Sequence, residues 1–405
     1  MRIAHVITRL ILGGAQENTV LSCEDLIRIY QDDVLLVTGP PLGPEGSLMD
    51  RVRAGGVPVE VVPQLRRPIH PWRDLASYFR IKRILCDFQP DVVHTHSAKG
   101  GILGRMAAHR LGVKAIVHGV HGAPFHPYQG RGARAFIRAC ERWAAGKCHA
   151  FVSVADAMTD LMVDAGVAPR EKFTTVYSGM EVEPFLGAGE HRERVRAELG
   201  YQPQHVVVGK IARLFHLKGH EYVIRAARRV VDAEPNVRFL LVGDGILAPR
   251  LRRQIAKAGL EDHFQLTGLV PPGRIPELIA AMDVLVHASL REGLARTLPQ
   301  ALIAGKPVVS YDVDGAREVV IADETGYLLP PKSVAELADA LVRLAGDAAL
   351  RERLGAEGCR RFTDLFRHER MTAQLRSLYE KLLAACPDAD PARQADRRSR
   401  RSGKR

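Results

Sequence analysis

Two charged clusters in the second half of the chain have the residue types needed to bind an anionic, hydroxyl-rich ligand. Arg213 and Lys218 follow the apolar run 206–211, and Glu292 follows a later apolar run. Two cations at a strand end can neutralise a diphosphate. The backbone N–H groups at the start of the next helix attract the same anion. A carboxylate accepts hydrogen bonds from sugar hydroxyls. The clusters therefore predict a site for a nucleotide diphosphate that carries a sugar.

Residues after two other predicted strands extend this site. Gly243 and Asp244 follow the run 237–242, and the glycine lets the backbone approach a ligand closely. Leu269 follows the run 264–267, where its backbone is placed to pair with a base edge. Each segment alone is also typical of an ordinary tight turn. Their order at successive strand ends favours the ligand site.

The segment after Glu292 offers further groups to the same ligand. The amides of Gly293 and Leu294 can donate to oxygens on the far side of the sugar. Gln300 lies in the first turn of a predicted helix, next to Pro299, which suits that turn. A simpler alternative for Glu292 is a carboxylate that only stabilises the helix dipole.

Length and composition are those of a soluble globular protein. The chain has 405 residues, enough for two domains, with 46% apolar and 26% charged residues. No apolar run approaches the ~20 residues of a membrane span, and the first residues predict a strand, not a signal peptide. The six cysteines lack CxxC spacing, which predicts free thiols in a reducing cytosol. We therefore expect a cytoplasmic protein.

Much of the net charge of +12 lies at the C-terminus. Residues 387–405 are strongly basic with few apolar residues, which predicts a disordered tail. Such a tail can touch anionic lipid or nucleic acid, but a purely solubilising tail explains the composition equally well. We expect at most peripheral association with the inner face of an anionic membrane, and no specific nucleic acid.

Short β-branched runs alternate with amphipathic stretches in both halves, which predicts parallel sheets. The predicted strands are 2–7, 34–37, 57–62, 92–94, 115–118, 151–154, 206–211, 237–242, 264–267, 284–287 and 307–311. They imply an α/β protein with two Rossmann-like, doubly wound domains, 1–187 and 198–365, and a last helix over 366–386. Because such sheets bind ligands at the carboxyl ends of their strands, two facing domains predict a cleft with one wall for each substrate.

Several motifs together resemble family 4 of the retaining glycosyltransferases, which have the GT-B fold. The resemblance spans roughly residues 1–385. It rests on Gly13-Gly14-Ala15-Gln16, Val93-His94-Thr95-His96-Ser97, Gly119-Val120-His121-Gly122, Tyr177-Ser178-Gly179-Met180-Glu181, Arg213 with Lys218-Gly219-His220, Val242-Gly243-Asp244-Gly245, Glu292-Gly293-Leu294 with Gln300, and Asp314-Gly315 with Glu324-Thr325-Gly326-Tyr327-Leu328.

The resemblance implies transfer of a sugar from a nucleotide-diphosphate sugar, such as a UDP-sugar, to an acceptor hydroxyl. The acceptor would be a glycan or a lipid-linked glycan of cell-surface polysaccharide synthesis. Arg213 and Lys218 would hold the diphosphate. Glu292 and the amides of Gly293 and Leu294 would hold the donor sugar. No cofactor besides the donor is implied.

The resemblance also implies roles in the first domain. His121, at a strand end, would face the donor sugar across the cleft, and Gly13 and Gly14 would let the first loop approach the diphosphate and the acceptor. The last helix would cross back onto this domain. Gln300 would hold the ribose, although the family usually has glutamate there. The amide still accepts a ribose hydroxyl but loses about 1 kcal/mol of charge-assisted strength.

Histidines at 94, 96, 118, 121 and 126 raise the question of a metal site. Metal ligation needs three or four converging ligands, and no matching Cys or carboxylate spacing accompanies these histidines. We therefore expect no metal. The first turn also lacks Gly-x-Gly-x-x-Gly, which weighs against a dehydrogenase.

The predicted helix 131–147 has two interpretations. Its apolar and basic side chains fall on separate faces, Phe136, Ile137, Cys140, Trp143 and Ala144 on one and Arg134, Arg138 and Arg142 on the other. Such a helix can lie on an anionic membrane surface. A core-facing apolar stripe with a solvated charged face is the interpretation that we favour.

Two other functions stay open. A GT-B protein of different chemistry, such as a sugar-nucleotide epimerase or a phosphorylase, would use a similar nucleotide site. A non-catalytic sugar-nucleotide-binding protein would explain Gln300 as decay, with the basic tail as its working part.

Overall fold

The computed structural model describes residues 1–43 and 46–386. The predicted disordered tail, 387–405, lies outside the described residues. Within them, the chain forms two separate parallel sheets, each with its own set of helices.

The first sheet has seven parallel strands. They are β1 (Arg2–Ile7), β2 (Asp33–Thr38), β3 (Val59–Val61), β4 (Val92–His96), β5 (Ala115–Val120), β6 (Ala150–Ser153) and β7 (Phe173–Thr175). Their order is β3-β2-β1-β4-β5-β6-β7, so β1 pairs with both β2 and β4. The order reverses between β1 and β4, and ligand crevices of doubly wound sheets open at such a point.

Six helices accompany the first sheet. They are α1 (Gly14–Arg28), α2 (Met49–Ala54), α3 (Pro71–Phe88), α4 (Ala98–Leu111), α5 (Arg131–Ala145) and α6 (Asp156–Asp164). Both α3 and α5 pack against α4, so these three helices lie side by side. Strands β4 and β5 are buried along their whole length, as expected for parallel strands that are covered on both faces.

The second sheet has six parallel strands. They are β8 (Val206–Ile211), β9 (Val237–Val242), β10 (Phe264–Gly268), β11 (Val284–His287), β12 (Val308–Tyr311) and β13 (Gly326–Leu329). Their order is β10-β9-β8-β11-β12-β13, which places the reversal between β8 and β11. The loop that carries Arg213 therefore begins at the switch point of this sheet.

Nine helices belong to the rest of the described chain. They are α7 (Glu183–Leu186), α8 (Arg192–Glu198), α9 (His220–Ala233), α10 (Ala248–Lys257), α11 (Ile275–Ala281), α12 (Thr297–Ile303), α13 (Val334–Gly346), α14 (Ala348–Phe362) and α15 (His368–Ala385). Short 3-10 turns occur at Arg170–Lys172, Gly187–His191, Glu261–His263, Pro272–Arg274, Asp314–Glu318 and Asp364–Phe366. In the described ranges, no helix combines the length and the apolar character that crossing a membrane requires.

The stretch between the sheets, predicted as the domain boundary, is mostly helical. Helices α7 and α8 pack against α11 of the second half. The exact domain limits stay predictions.

The last helix, α15, returns to the first sheet, as predicted. Polar side chains on successive turns bind partners there: His368 Nδ1 to Asp25 Oδ2 at 2.7 Å, Arg376 Nε to Asp32 Oδ2 at 3.1 Å, and the Tyr379 hydroxyl to His94 Nδ1 at 2.6 Å. The end of the chain therefore ties the second half to the first.

The eleven predicted strands exist, with ends that agree to within about two residues, the usual uncertainty of element ends. Two strands were missed, β7 and β13. Both are edge strands, of 3 and 4 residues, and neither is buried along its whole length.

The favoured interpretation of α5 holds for only part of the apolar stripe, because Ala144 is buried and Ile137 packs against the core. Phe136 and Trp143 are 62% and 51% exposed. Two arginines of the charged face bind another helix: Arg138 Nη2 and Arg142 Nη2 donate to the Ala165 carbonyl at 3.0 and 2.6 Å, although Arg142 stays exposed. Ala165 ends α6, where free carbonyls and the helix dipole attract cations. The predicted apolar stripe of α5 is therefore divided: Ile137 and Ala144 pack inward, whereas Phe136 and Trp143 are exposed.

Candidate active site

A cavity of about 1010 Å³ lies between the two sheets and is lined by residues of both. Six predicted site residues line it: Gly13, Gly14, Arg213, Asp244, Leu269 and Gln300. The loop after β1 and the loop after β8 therefore face each other, which confirms the predicted cleft. The other six predicted residues, His121, Lys218, Gly243, Glu292, Gly293 and Leu294, lie outside its lining.

Four charged residues that sequence reasoning missed also line the cavity: Glu17, Arg51, Glu181 and Arg296. Arg296 Nη2 lies 3.2 Å from Glu17 Oε2, an ion pair between the two halves. Burial lowers the pKa of Arg296, and Glu17 opposes this effect. Within the described residues, Arg296 Nε has no hydrogen-bond partner. A buried donor of this kind is costly unless a ligand satisfies it.

The loop that carries Arg213 is held by local contacts. Leu217 and Gly219 have φ of 66° and 69°, which turn the chain before α9 begins at His220. His220 Nε2 lies 3.1 Å from the Arg213 carbonyl oxygen. The Arg213 guanidinium carbon lies 5.1 Å from the Phe215 ring centroid, a cation–π distance. The backbone of Arg213 is therefore fixed while its side chain reaches the cavity.

Lys218 and Glu292 form an ion pair, with Nζ 2.6 Å from Oε1. The Glu292 amide donates to Asp314 Oδ2 at 2.6 Å, which holds the loop. Burial alone would raise the pKa of Glu292, but the charge of Lys218 and the hydrogen bond with His287 outweigh it. The pKa of Glu292 is therefore well below its usual value, and the carboxylate stays ionised at neutral pH.

Two further buried groups surround Glu292. Lys210, in β8, has an Nζ without a hydrogen-bond partner in the described part of the chain. Burial lowers the pKa of Lys210 to about 7, against the attraction of Glu292. His287, which ends β11, places Nε2 3.4 Å from Glu292 Oε1, and burial lowers its pKa. A lysine inside an apolar strand was the available sequence signal for Lys210.

Gly243 shapes the turn behind Asp244. Its φ is 132°, and a Cβ at this position would lie 2.3 Å from the Ala212 carbonyl oxygen, so only glycine fits. The Gly243 amide donates to the Gly268 carbonyl at 3.1 Å, and Asp244 Oδ1 accepts from the Gly245 amide at 2.7 Å. The turn therefore presents Asp244, not Gly243, to the cavity.

The loop after Glu292 touches the first half of the chain directly. A Cβ on Gly293 would lie 2.3 Å from the His121 carbonyl oxygen, so this approach requires glycine. The Gly315 amide donates to the Gly293 carbonyl at 2.9 Å. Leu294 is 8% exposed and its side chain packs in the core. Only its amide was predicted to meet a ligand.

His121 is the first member of a chain of buried imidazoles. His121 Nε2 lies 2.9 Å from His96 Nδ1, and His96 Nε2 lies 3.0 Å from His5 Nδ1. Burial and the charge of Arg296 lower the pKa of His121 to about 4, and burial lowers that of His5 to about 3. Because each neutral ring carries one N–H, the tautomer of His121 depends on those of His96 and His5.

Three histidines are close enough to share a metal ion. His5, His94 and His96 each offer one ring nitrogen within 4.8 Å of the others. Histidines 94 and 96 were considered in the sequence, whereas His5 was not. The hydrogen bond between His5 and His96 already uses one nitrogen of each ring. The expectation of no metal stays a prediction.

Two family profiles match most of the chain. "Glycosyl transferase 4-like domain" matches residues 25–179, and "Glycosyl transferases group 1" matches residues 191–361. The chain belongs to the group 1 glycosyltransferases. The predicted family is thereby confirmed, and the protein is an enzyme of the glycosyltransferase class.

This glycosyltransferase has curated relatives of known activity. It is 28% identical over 356 residues to the "UDP-Gal:alpha-D-GlcNAc-diphosphoundecaprenol alpha-1,3-galactosyltransferase" of Escherichia coli, covering 86% of this chain and 89% of that protein. It is also 28% identical over 329 residues to the "GDP-mannose-dependent alpha-mannosyltransferase" of Mycobacterium tuberculosis, covering 79% and 80%.

Solved structures share the fold of this glycosyltransferase. Anabaena Alr3699/HepE in complex with UDP superposes with a TM-score of 0.79 at 22% identity, covering 94% of this chain and 100% of that one. Sucrose-phosphate synthase from Thermosynechococcus elongatus superposes with a TM-score of 0.80 at 19% identity, covering 95% and 100%. The predicted GT-B fold is confirmed.

Proposed function

We propose that this glycosyltransferase moves a sugar from a nucleotide-diphosphate sugar to an acceptor hydroxyl, with retention at the anomeric carbon. The observation that carries the proposal is the cavity shared by the Gly13–Gly14 loop, Arg213 and Gln300. A cation, a small-residue loop and an amide surround one volume there, as a diphosphate with a ribose requires. Lys218 follows strand β8, as Arg213 does, and Glu292 follows strand β11, as Gln300 does.

A UDP-sugar is the favoured donor. The Escherichia coli relative is named for UDP-Gal, and HepE was solved with UDP and with UDP-glucose. The mycobacterial relative is named for GDP-mannose, so a panel must include both bases. Leu269 and Asp244 line the part of the cavity that we assign to the nucleoside, and Gln300 accepts the ribose hydroxyl.

Donor binding changes the partner of Lys218. Without ligand, the ammonium pairs with Glu292 at 2.6 Å. A diphosphate carries more negative charge than one carboxylate and competes for this cation, together with Arg213. Glu292 then accepts hydrogen bonds from the donor sugar, helped by the amides of Gly293 and Leu294.

The chemistry follows from this placement. As the bond from the anomeric carbon to the diphosphate breaks, negative charge grows on the leaving oxygen. Arg213 and Lys218 stabilise that charge where water is excluded. The acceptor hydroxyl attacks from the same face, and a departing phosphate oxygen takes its proton. Retention then needs no second carboxylate, unlike in most retaining glycosidases.

His121 completes the sugar side of the site. Its backbone touches Gly293, and its ring is neutral because its pKa is lowered to about 4. A neutral ring binds a sugar hydroxyl without repelling the cations on the diphosphate. Gly13 and Gly14 give the first loop close access to the diphosphate and the acceptor.

The acceptor that we propose is a glycan or lipid-linked glycan of cell-surface polysaccharide synthesis. The Escherichia coli relative is named for a diphosphoundecaprenol acceptor. We place this enzyme in the cytoplasm, in peripheral contact with the inner face of the membrane. No cofactor or metal has a step in this mechanism.

Transfer from a panel of UDP- and GDP-sugars tests the proposal. Arg213→Ala, Lys218→Ala and Glu292→Ala should each lower kcat/KM at least about 100-fold, the usual effect of losing a transition-state donor. Lys257→Ala, an exposed lysine at the end of α10, should leave it unchanged. Wild-type turnover in all three site variants removes the proposal, and an inverted anomeric product removes retention.

No finding favours the epimerase or a non-catalytic binding protein. Nucleotide release without a new glycoside in the same assay would reveal the epimerase. Tight nucleotide-sugar binding with neither product would reveal the binding protein.

A further inference from the structure

Both tryptophans of the chain are exposed, and both lie in helices that pack against α4. Trp72 is 78% exposed in the first turn of α3, and Trp143 is 51% exposed in the last turn of α5. Tryptophan is buried on average in soluble proteins. Because α3 and α5 both pack against α4, both indoles lie on the same helical layer of the first sheet.

Helix α3 carries a complete apolar stripe on its exposed face. Trp72, Leu75 and Phe79 follow the spacing of one helix face, and Leu75 and Phe79 are 47% and 58% exposed. Ile69, just before the helix, is 79% exposed. The opposite face buries a separate set of side chains, Ser77, Ile81, Ile84 and Leu85. The exposed stripe is therefore not needed to pack α3.

Helix α5 adds two exposed aromatic side chains. Phe136 and Trp143 are exposed at the spacing of one face, while Arg138 and Arg142 bind the end of α6. Lys147 Nζ lies 3.6 Å from the Trp143 ring centroid, so a cation sits beside the indole. Other apolar side chains of this helix, Ile137 and Ala144, pack inward, so Phe136 and Trp143 are not needed to pack α5.

Several exposed arginines lie in helices α3, α4 and α5 or shortly before α3: Arg66, Arg67, Arg80, Arg83, Arg110 and Arg131. Arg80 and Arg83 have carboxylates at 3.8 and 3.9 Å, in pairs that are exposed on both sides. Such pairs are weak and leave the cations able to meet another anion. The exposed apolar side chains and exposed positive charges are therefore carried by the same group of helices.

We propose that Ile69, Trp72, Leu75, Phe79, Phe136 and Trp143 form a docking surface for a bilayer that contains anionic lipid. Indole rings favour the headgroup level of a membrane, aliphatic and phenyl groups enter the acyl boundary, and arginines meet anionic headgroups. A second copy of this face is a poor partner, because symmetric pairing would bring the exposed arginines together.

The docking surface lies close to the cleft. Lys99, in the first turn of α4 directly after β4, binds Asp74 at 2.6 Å and the Pro68 carbonyl at 2.5 Å. These contacts hold the start of α3 at the carboxyl edge of the first sheet. A docked enzyme would meet a lipid-linked acceptor at this edge. That consequence rests on the proposed transfer reaction, whereas the docking rests only on the exposed side chains and specifies the surface for the membrane contact proposed above.

Vesicle binding by the full-length protein tests the docking. The vesicles are phosphatidylcholine with phosphatidylglycerol, or phosphatidylcholine alone. We expect the wild type to bind the anionic vesicles. The affinity for these vesicles should decrease at least about tenfold in Trp72→Ser/Leu75→Ser/Phe79→Ser and in Phe136→Ser/Trp143→Ser. Ile29→Ser/Leu186→Ser, which removes two apolar side chains that are each 44% exposed elsewhere, should bind as the wild type does.

A second measurement does not depend on how the multiple variants fold. In Trp143→Phe, Trp72 is the only indole, and its emission should shift to the blue and be quenched by brominated lipid when anionic vesicles are added. An unshifted emission overturns the proposal. So does wild-type vesicle binding by either serine variant, or a dimer in solution that the α3 variant dissociates.

Transfer to a water-soluble acceptor separates this inference from the proposed function. The serine variants should keep wild-type transfer in that assay while they lose vesicle binding. If the wild type binds vesicles but transfers no sugar, the proposed function fails and the docking surface stands.

Discussion

Lys218 Nζ lies 2.6 Å from Glu292 Oε1 and joins the loop after β8 to the loop after β11. His287 and the buried Lys210 act on the same carboxylate. The cation assigned to the diphosphate and the anion assigned to the sugar therefore bind each other in the absence of ligand. The donor must separate them, and this exchange makes the two residues distinguishable by experiment.

Glu292→Gln should affect nucleotide binding and transfer in opposite directions. Removing the carboxylate frees Lys218 for the diphosphate, so UDP should bind more tightly, by about 1 kcal/mol or fivefold. Transfer should fall at least about 100-fold, because the sugar loses its anionic acceptor. Calorimetry and steady-state kinetics measure the two effects. Weaker UDP binding would show that Glu292 does not compete for Lys218.

Lys210→Met should stabilise the protein. Burial lowers the pKa of Lys210 from 10.5 to about 7, so between these values the unfolded chain binds a proton that the folded chain does not. Stability from this group therefore rises with pH across that window and is lowest below it. At pH 7 the Met variant should gain about 1–3 kcal/mol in unfolding free energy by urea titration. Lys257→Met is the exposed control, and a destabilised Lys210 variant contradicts the expectation.

Acid should destabilise the enzyme through its buried histidines. The pKa values of His5 and His121 are lowered to about 3 and about 4, below the usual 6.5. As pH falls below about 6.5, the unfolded chain takes up protons that these rings cannot, so the unfolding free energy decreases.

The histidine effect has a matched pair of variants. His5→Gln should reduce the slope of unfolding free energy against pH by up to about 1.4 kcal/mol per pH unit between pH ~4 and ~6. His109→Gln, at an exposed position, should leave the slope as it is. Stability that does not change with pH in this window would mean that the rings titrate in the fold.

Gln300→Glu should tighten UDP binding by about 1 kcal/mol, or about fivefold, because a carboxylate accepts the ribose hydroxyls more strongly than an amide. Gln300 lines the cavity, so the change acts at the proposed nucleotide position. Calorimetry with UDP and with UMP measures the gain, which should be similar for both. Weaker binding of both ligands would place the ribose elsewhere.

The sequence was sufficient for the parts of the site that lie at strand ends. Gly13, Arg213 and Asp244 each lie in a loop after a recognisable apolar run, and parallel topology brings such loops to one edge of a sheet. Arg296 could not be predicted, because it is placed by an ion pair with Glu17. The two side chains are 3.2 Å apart, but the residues are far apart in the sequence. No local pattern encodes that contact.

Helix α5 shows a second limit of sequence patterns. Its two faces were recognised, but the hydrophobic pattern alone cannot say which face turns inward. The Ala165 carbonyl contributes to the orientation of α5, because it accepts hydrogen bonds from Arg138 and Arg142. The buried Arg105–Glu141 pair, at 2.7 Å, holds the same helix from α4. Phe136 and Trp143 are therefore left exposed, although Ile137 and Ala144 of the same predicted stripe pack inward.

The most direct test compares UDP with uridine in the wild type, Arg213→Ala and Lys218→Ala by calorimetry. If these two cations hold the diphosphate, the wild type binds UDP far more tightly than uridine. Each substitution then lowers the affinity for UDP at least about tenfold and leaves the affinity for uridine unchanged. An undiminished preference for UDP in both variants would contradict the account.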